Sequence, residues 1–195
     1  MKKKVQNRQA AYEKTALQLF HTLGYKGTSM RKIAENVGCD VANLYNYFNS
    51  KNDILKNALF SIDVRFQEGI NEISAAPITS KNKLRRIIEL YTRLSKEYPL
   101  HTSLLNREWK HLNEDDRTSF EKAKSAYEKK VIAIIKEGMI KKEFKAYDVQ
   151  LTAHLIFSML RQLFDSKSVI GRNVNRDDLE KSIASFIFSG LASDF

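Results

Sequence analysis

Apolar residues recur every three or four positions along most of this chain, the spacing that places them on one face of an α-helix. The longest stripe contains Leu55, Ala58, Leu59, Ile62, Phe66, Ile70 and Ile73. Seven glycines and two prolines are few chain breakers for 195 residues, which favours long helices over short strands and turns. The sequence therefore predicts an all-α fold of about nine helices. We place them near residues 5–23, 29–37, 41–48, 50–73, 84–94, 99–112, 114–138, 149–164 and 176–191.

Residues that cap helices mark several of these boundaries. Thr28 is predicted to be the N-cap of the second helix, Asp40 that of the third and Asn113 that of the seventh. Gly24 and Gly38 follow the first and second helices, where glycine can adopt the left-handed conformation that ends a helix.

The last two predicted helices carry apolar residues on nearly every face, so they need a cover on every face. Pairing them with the same helices of a second copy provides that cover and predicts a homodimer. The alternative is that both are ordinary core helices of a monomer. The residues expected at the dimer interface are Ile156, Leu160, Leu163, Phe164, Ile183, Phe186 and Ile187.

Charge is concentrated at the start of the chain. The formal net charge is +10, and residues 1–51 hold nine basic and three acidic side chains, so this quarter of the chain carries +6. A basic segment of this kind suggests nucleic acid as a partner, although a solvated basic face that aids solubility is an equal alternative from charge alone.

Composition excludes other classes of protein. With 43% apolar and 29% charged residues, the chain has the composition of a globular domain rather than a disordered one. No apolar run is long enough to span a membrane, and no apolar segment follows the basic N-terminus as in a secretory signal. The single cysteine, Cys39, has no intrachain partner, which fits a reducing cytoplasm.

Residues 28–51 have the spacing of a helix-turn-helix. Ala34 is small where two helices would cross, Gly38 allows the tight turn, and Leu44 is the apolar anchor of the second helix. The second helix of such a motif enters the DNA major groove. With Leu44 and Phe48 facing inward, the residues left for the groove and its walls are Val41, Ala42, Asn43, Tyr45, Asn46 and Tyr47.

These outward residue types suit DNA. Asparagine can read an adenine edge, and tyrosine hydroxyls can donate to phosphates. Lys51 stands beside a helix N-terminus, where anions bind readily. The alternative is that Tyr45 and Tyr47 only pack locally.

The segment around residues 8–60 resembles the DNA-binding domain of the TetR family of bacterial transcriptional regulators. The matching residues are Phe20, Gly24, Tyr25, Thr28, Ser29, Ile33, Ala34, Gly38, Leu44, Tyr45, Tyr47, Phe48, Ser50 and Lys51. The resemblance implies that Thr28 caps the second helix, Arg31 lies near the DNA backbone, and Tyr45, Tyr47 and Lys51 hold phosphates. The chain departs from the family's Ser-x-Gly-Thr at residues 40–43 and from its proline at Asn49, so no base preference can be transferred.

The resemblance further implies a DNA-binding domain at residues 1–50 and an effector-binding and dimerisation domain at residues 51–195. It implies a repressor acting as a homodimer on a palindromic operator, released by a small effector. An apolar-aromatic pocket lining would favour a hydrophobic or fatty-acyl-like effector. Residues expected to line the effector pocket, or alternatively to be core, are Tyr91, His101, Trp109, Tyr127, His154, Phe157 and Arg161.

We expect no enzyme, cofactor or metal site. No nucleophile motif, glycine-rich phosphate loop or carboxylate pair stands out. His111 lies near Glu108, Glu114 and Asp115 but no second histidine is close, and Cys39 is expected to pack beside Gly38 rather than sense redox state. Two alternatives stay open: an effector-independent DNA-binding dimer, and a small helical enzyme that retains a helix-turn-helix.

Overall fold

The computed structural model describes residues 2–164 and 175–191, with side chains from Arg8 onward except that of Arg176, so the side chains of Lys2, Lys3 and Lys4 lie outside it. Within these ranges the chain forms helices and no strand, which confirms the predicted all-α fold. The α-helices are α1 (Lys2–Leu23), α2 (Met30–Val37), α3 (Val41–Tyr45), α4 (Lys51–Ala75), α5 (Ser80–Glu97), α6 (Pro99–Arg107), α7 (Glu114–Ile140), α8 (Val149–Arg161) and α9 (Arg176–Leu191).

Three predicted helices are shorter than expected. Helix α3 was predicted to reach Phe48 but ends at Tyr45. The other two continue as single turns of 3₁₀ helix. Helix α6 ends at Arg107, and a 3₁₀ helix at Trp109–His111 follows it. Helix α8 ends at Arg161, and its last predicted turn is the 3₁₀ helix Gln162–Phe164. None of the described helices is long and apolar enough to cross a membrane.

The start of α2 corrects one predicted cap. Ser29, not Thr28, is the N-cap, because its Oγ accepts from the backbone N–H of Lys32 at 3.1 Å. Thr28 is buried and its hydroxyl donates instead to the carbonyl of Gly24 at 3.0 Å. Both hydroxyls have the chemistry to cap a helix. Because α2 begins at Met30, the residue in the N-cap position is Ser29.

Other predicted boundaries hold. Gly24 and Gly38 have φ of +75° and +76°, the left-handed conformation expected after α1 and α2. Asn113 caps α7, accepting from the N–H of Asp116 at 2.9 Å. Asp40 occupies the N-cap position of α3, although its side chain makes no capping hydrogen bond.

The chain divides into two units. The first contains the described residues up to Ile62 together with Leu100–Phe120. Its core is continuous from α1 to the start of α4 and includes residues of Leu100–Phe120, the segment that returns to this unit. The fully enclosed side chains are Ala16, Leu17, Phe20, Ile33, Ala34, Leu44, Ile54, Leu55, Ala58, Leu59 and Leu104.

The second unit contains Asp63–Pro99 and the described residues from Glu121 onward. Two glycines permit close packing inside it. A Cβ on Gly69 would lie 2.7 Å from both terminal methyls of Leu90, and one on Gly138 would clash with the Phe144 ring. Continuous helices α4 and α7 each supply residues to both units.

The residues predicted for the dimer interface are almost all core residues of the second unit. Ile156, Leu160, Leu163, Phe164, Ile183 and Ile187 are each 7% exposed or less, so they have little surface to offer a second copy. Phe186 differs, at 77% exposed, and Leu151 and Leu155 of α8 are 58% and 53% exposed. Of the predicted interface residues, Phe186 is therefore the one left uncovered, and it is joined by Leu151 and Leu155, which were not predicted.

Candidate nucleic-acid interface

The helix-turn-helix forms from the residues that the spacing singled out. Gly38 and Cys39 both donate backbone N–H groups to the carbonyl of Ala34 at 3.0 Å, which ends α2 and turns the chain into α3. Ala34 and Leu44 are 1% and 0% exposed. Their burial fixes α3 against α2 and determines which of its side chains face outward.

The outward side of α3 is polar and unobstructed. Ala42, Asn43, Tyr45 and Asn46 are exposed, with Tyr45 at 50%, and Val41 is half-buried. An exposed asparagine pair beside an exposed phenol provides amide groups for base edges and a hydroxyl for a phosphate. This surface, formed by Asn43, Tyr45 and Asn46, is called the reading face below.

Helix α2, the first helix of the motif, carries an exposed basic residue. Arg31 is exposed and its Nε lies 3.3 Å from a carboxylate oxygen of Glu35, with side-chain exposures of 84% and 62%. Exposed i,i+4 pairs of this kind contribute only about 0.3–0.5 kcal/mol. The guanidinium can therefore leave Glu35 for a phosphate at little cost.

Tyr47 does not share the reading face with Tyr45. It is half-buried, and its ring meets the ring of Tyr12 edge-on, with centroids 5.2 Å apart and planes at 86°. This contact holds the end of the motif against α1. The structure thus separates the two tyrosines that the sequence grouped together.

Lys51 is engaged inside the unit. Its ammonium donates to the carbonyls of Tyr25 and Thr28, both at 2.8 Å, and lies 4.0 Å from the centroid of the Tyr25 ring. Partial burial lowers the pKa of Lys51 below its usual value. Two of the three N–H groups are used here, so Lys51 first of all joins the α1–α2 turn to the start of α4.

The residues predicted to line an effector pocket do not form one set. His101 and Trp109 belong to the first unit, where Trp109 stacks on Phe120 with ring centroids 6.1 Å apart. Tyr91, Tyr127 and Phe157 belong to the second unit, as do His154 and Arg161.

Tyr91, Tyr127 and Phe157 are part of a buried aromatic cluster that also contains Phe66 and Phe164. Tyr91 stacks on Phe164 with centroids 5.3 Å apart and planes at 4°, and Phe66 lies 4.9 Å from Tyr91. Tyr127 contacts Tyr91 and Phe157, each with centroids 6.3 Å apart. All five side chains are 7% exposed or less.

The aromatic cluster contains a polar atom that is not satisfied. The hydroxyl of Tyr127 is buried and has no hydrogen-bond partner of normal geometry. Burial raises the pKa of the Tyr127 phenol well above its usual value, and the neighbouring Tyr91 hydroxyl raises it further. Burial also raises the pKa of Tyr91, partly offset by its interaction with the Tyr127 hydroxyl and, to a smaller extent, by the Arg161 guanidinium. A buried hydroxyl left without a partner costs about 1–3 kcal/mol, so a ligand atom that bonded it would gain that amount.

An open cleft of about 410 Å³ lies beside this cluster, since Phe157 is common to both. The exposed His154 and the half-buried Arg161 are at the same cleft, and one Arg161 nitrogen donates to the Ser158 hydroxyl at 3.1 Å. Half of the residues lining the cleft are polar or charged, so it is more polar than the mostly apolar pockets typical of small-molecule sites. The lining residues are Glu128, Ile132, Gln150, Leu151, Ala153, His154, Phe157 and Arg161.

The described residues contain no group of three or more histidine, cysteine or acidic side chains arranged to hold a metal ion. His111 and Glu108 do meet, at 3.4 Å between Nε2 and a carboxylate oxygen, but as a pair that packs against Tyr25. Cys39 is half-buried and unbridged.

Comparison with known structures shows the same fold in several regulators. The TetR family transcriptional regulator PfmR from Thermus thermophilus is 22% identical, with 93% of this chain and 99% of that chain covered and a TM-score of 0.79. The ketosteroid transcriptional regulator KstR2 of Mycobacterium tuberculosis is 15% identical, with 96% of each chain covered and a TM-score of 0.86.

A third similar structure is AibR in complex with isovaleryl coenzyme A and operator DNA. It is 19% identical, with 93% of this chain and 98% of that chain covered and a TM-score of 0.79. Identities this low show a shared fold and no more. None of the curated proteins compared with the chain matches its sequence.

Family models match both parts of the sequence. The model of bacterial regulatory proteins, tetR family, matches residues 14–58, which contain the helix-turn-helix. The model of the tetracyclin repressor-like C-terminal domain matches residues 77–191, more than half of the chain. On these two matches, the chain belongs to the TetR family of bacterial transcriptional regulators.

Proposed function

We propose that this protein is a ligand-released, sequence-specific repressor that acts as a cytoplasmic homodimer on a near-palindromic operator. The observation that carries the proposal is the reading face, a set of exposed hydrogen-bonding side chains on a helix-turn-helix whose inner side is fully packed. In a dimer, two such faces enter successive major grooves about 34 Å apart.

In this proposal each DNA-contacting residue has a distinct role. Asn43 and Asn46 read base edges, and Val41 contacts a thymine methyl. Arg31, Tyr45 and the unused N–H of Lys51 bind phosphates, and Tyr47 and Thr28 contribute by holding the motif in place. The contacts of Arg31, Asn43, Tyr45 and Asn46 follow from their exposure, whereas Val41 and Lys51 are half-buried. The roles of Thr28 and Tyr47 follow from the burial of Thr28 and the edge-on packing of Tyr47 on Tyr12.

The dimer uses the apolar side chains left uncovered on the last two helices. Leu151 and Leu155 lie four residues apart on α8 and so share one face of it, and Phe186 is the exposed aromatic residue of α9. Burying three such side chains against a second copy contributes about 1.5–3 kcal/mol for each one fully covered.

The effector binds in the second unit, with its apolar part against the Tyr91–Tyr127–Phe157 cluster and a polar atom on the Tyr127 hydroxyl. His154 and Arg161 line the cleft that reaches Phe157. The structurally similar AibR was crystallised with isovaleryl coenzyme A, and KstR2 is described as a ketosteroid regulator. An apolar acyl or ring-containing effector is consistent with the aromatic cluster. Its binding depopulates the DNA-competent state.

The test is selection of bound duplexes from random DNA, followed by affinity measurements on the selected site. We expect a near-palindrome bound by two chains, with Asn43→Ala changing the preferred base at one symmetric position. A Lys32→Ala variant, which removes an exposed charge on α2, is expected to weaken selected and random DNA alike. Equal loss for Asn43→Ala on both kinds of DNA would remove Asn43 as a base-reading residue.

A further inference from the structure

Tyr25, in the turn between α1 and α2, is surrounded by residues that are distant in sequence. Its ring stacks on the His111 ring, with centroids 5.3 Å apart and planes at 12°, and the Lys51 ammonium lies 4.0 Å from the Tyr25 centroid. The Phe20 ring is 5.4 Å away. His111 belongs to the 3₁₀ helix after α6, so a segment from late in the chain packs directly on the turn that precedes α2.

The backbone of the same turn is held by Glu108. The N–H of Tyr25 donates to a carboxylate oxygen of Glu108 at 3.4 Å, and the other oxygen would lie 3.9 Å from a Cβ on Gly24. The same carboxylate pairs with the His111 ring, and the two side chains are only 13% and 19% exposed. Glu108 therefore links the turn to the 3₁₀ helix in a largely buried position.

Asn52 joins this contact to the start of α4. Its amide nitrogen donates to the Tyr25 hydroxyl at 3.3 Å and to the His111 carbonyl at 2.9 Å. One side chain thus bonds two segments that are 27 and 59 residues away from it in sequence. We call Tyr25, Asn52, Glu108 and His111 the turn junction.

All four residues of the turn junction belong to the first unit. Residues Leu100–Phe120 belong to the first unit, yet α5 before them and most of α7 after them belong to the second. The same turn contains Thr28 and the capping residue Ser29 and leads directly into α2, and α2 packs against α3. The junction therefore holds the turn from which α2 begins.

We propose that the turn junction positions the helix-turn-helix for DNA binding, with Asn52 as its central positioning residue. This inference rests on the proposed function, because it needs a DNA-bound state. None of the four residues lies on the reading face, so they act through the turn and not by touching DNA. Coupling is reciprocal, so a junction that holds the helix-turn-helix in its DNA-binding position is itself stabilised when DNA is bound.

The test measures amide hydrogen exchange of the full-length protein with and without a selected operator duplex. For the native chain, we expect DNA to slow exchange about threefold or more in α2, α3 and residues 108–112. In Asn52→Ala, protection of α2 and α3 is expected to remain while that of residues 108–112 is lost. The matched control is Asn57→Ala, which removes an exposed amide from the next turn of α4 and is expected to behave as the native chain.

Affinity gives a second readout. Loss of two hydrogen bonds at Asn52 is expected to weaken operator binding about three- to tenfold, with an unchanged salt dependence and base preference. A direct DNA contact would change one of those two properties. If Asn52→Ala fails to fold, Tyr25→Phe makes the same test, because it keeps the ring on His111 and removes the hydroxyl that accepts from Asn52.

The outcomes separate the two proposals. If no duplex is retained from random DNA, the proposed function fails. If DNA is bound but residues 108–112 show no protection in the native chain, or the same protection in Asn52→Ala, the junction proposal alone is overturned.

Discussion

Replacing Lys51 by methionine tests how the α1–α2 turn is held. The substitution keeps the apolar stem and removes two charge-assisted hydrogen bonds of 2.8 Å and a ring contact at 4.0 Å. Buried bonds to a charged group contribute about 1.5–3 kcal/mol each, but this ammonium is partly exposed and water can replace some of the loss. We therefore expect the free energy of unfolding to fall by about 2–3 kcal/mol.

In a chain of this length, a loss of that size lowers the melting temperature by roughly 4–12 °C. Circular dichroism at 222 nm, a wavelength that reports helix, follows the thermal transition. The matched control is Lys26→Met, which removes an exposed lysine next to the same turn and is expected to change stability by less than about 0.5 kcal/mol. Equal melting temperatures for the two variants would refute the structural role of Lys51.

The same variant tests the phosphate contact. If the third N–H of Lys51 binds a phosphate, the slope of log affinity against log salt becomes shallower by about one unit in Lys51→Met. An unchanged slope together with lower stability would show that Lys51 holds the turn and does not bind a phosphate.

Three further predictions concern the second unit. Gly138→Ala is expected to lower the free energy of unfolding by about 1–3 kcal/mol because the new methyl meets the Phe144 ring, whereas Gly190→Ala, with no atom within 4 Å, is expected to be neutral or stabilising in urea titrations. Tyr127→Phe removes an unsatisfied hydroxyl, so it is expected to raise stability by about 1 kcal/mol while weakening effector binding in calorimetry; lower stability would show that the hydroxyl is satisfied. Burial raises the pKa of the Asp63 carboxyl, so ionisation above its unfolded-state pKa costs stability. Asp63→Asn is therefore expected to be more stable than the native chain at pH 7 and equal to it near pH 3, and an equal difference at both values would contradict the burial effect.

Local sequence signals predicted the elements of the fold well. Gly38 and Asn113 mark helix boundaries through their own backbone or side-chain chemistry, which needs no distant partner. Ala34 and Leu44 identified the helix-turn-helix because its packing depends on spacing within a single short segment. The Thr28 error is of one residue, since adjacent hydroxyls have the same capping chemistry.

Contacts between distant segments could not be read from the pattern. Glu108 and Tyr25 are 83 residues apart, and nothing in either local sequence indicates that a carboxylate will meet that N–H. Apolar residues lie all around α8, so their pattern does not show which side packs inside the protomer. The sequence therefore placed Ile156 and Leu160 at an interface, whereas both are buried within the protomer. The carbonyl partners of Lys51 in the turn are likewise distant in sequence, so its structural role could not be predicted, and its phosphate contact stays a prediction.

Base-specific DNA binding by the reading face is the central claim, and the most direct measurement is affinity on the selected operator beside a scrambled duplex at one salt concentration. The account predicts an operator affinity at least about a thousandfold higher than that for the scrambled duplex. It also predicts that Asn43→Ala lowers this ratio while Arg31→Ala lowers both affinities and leaves the ratio intact. Equal affinity of the native chain for both duplexes would contradict it.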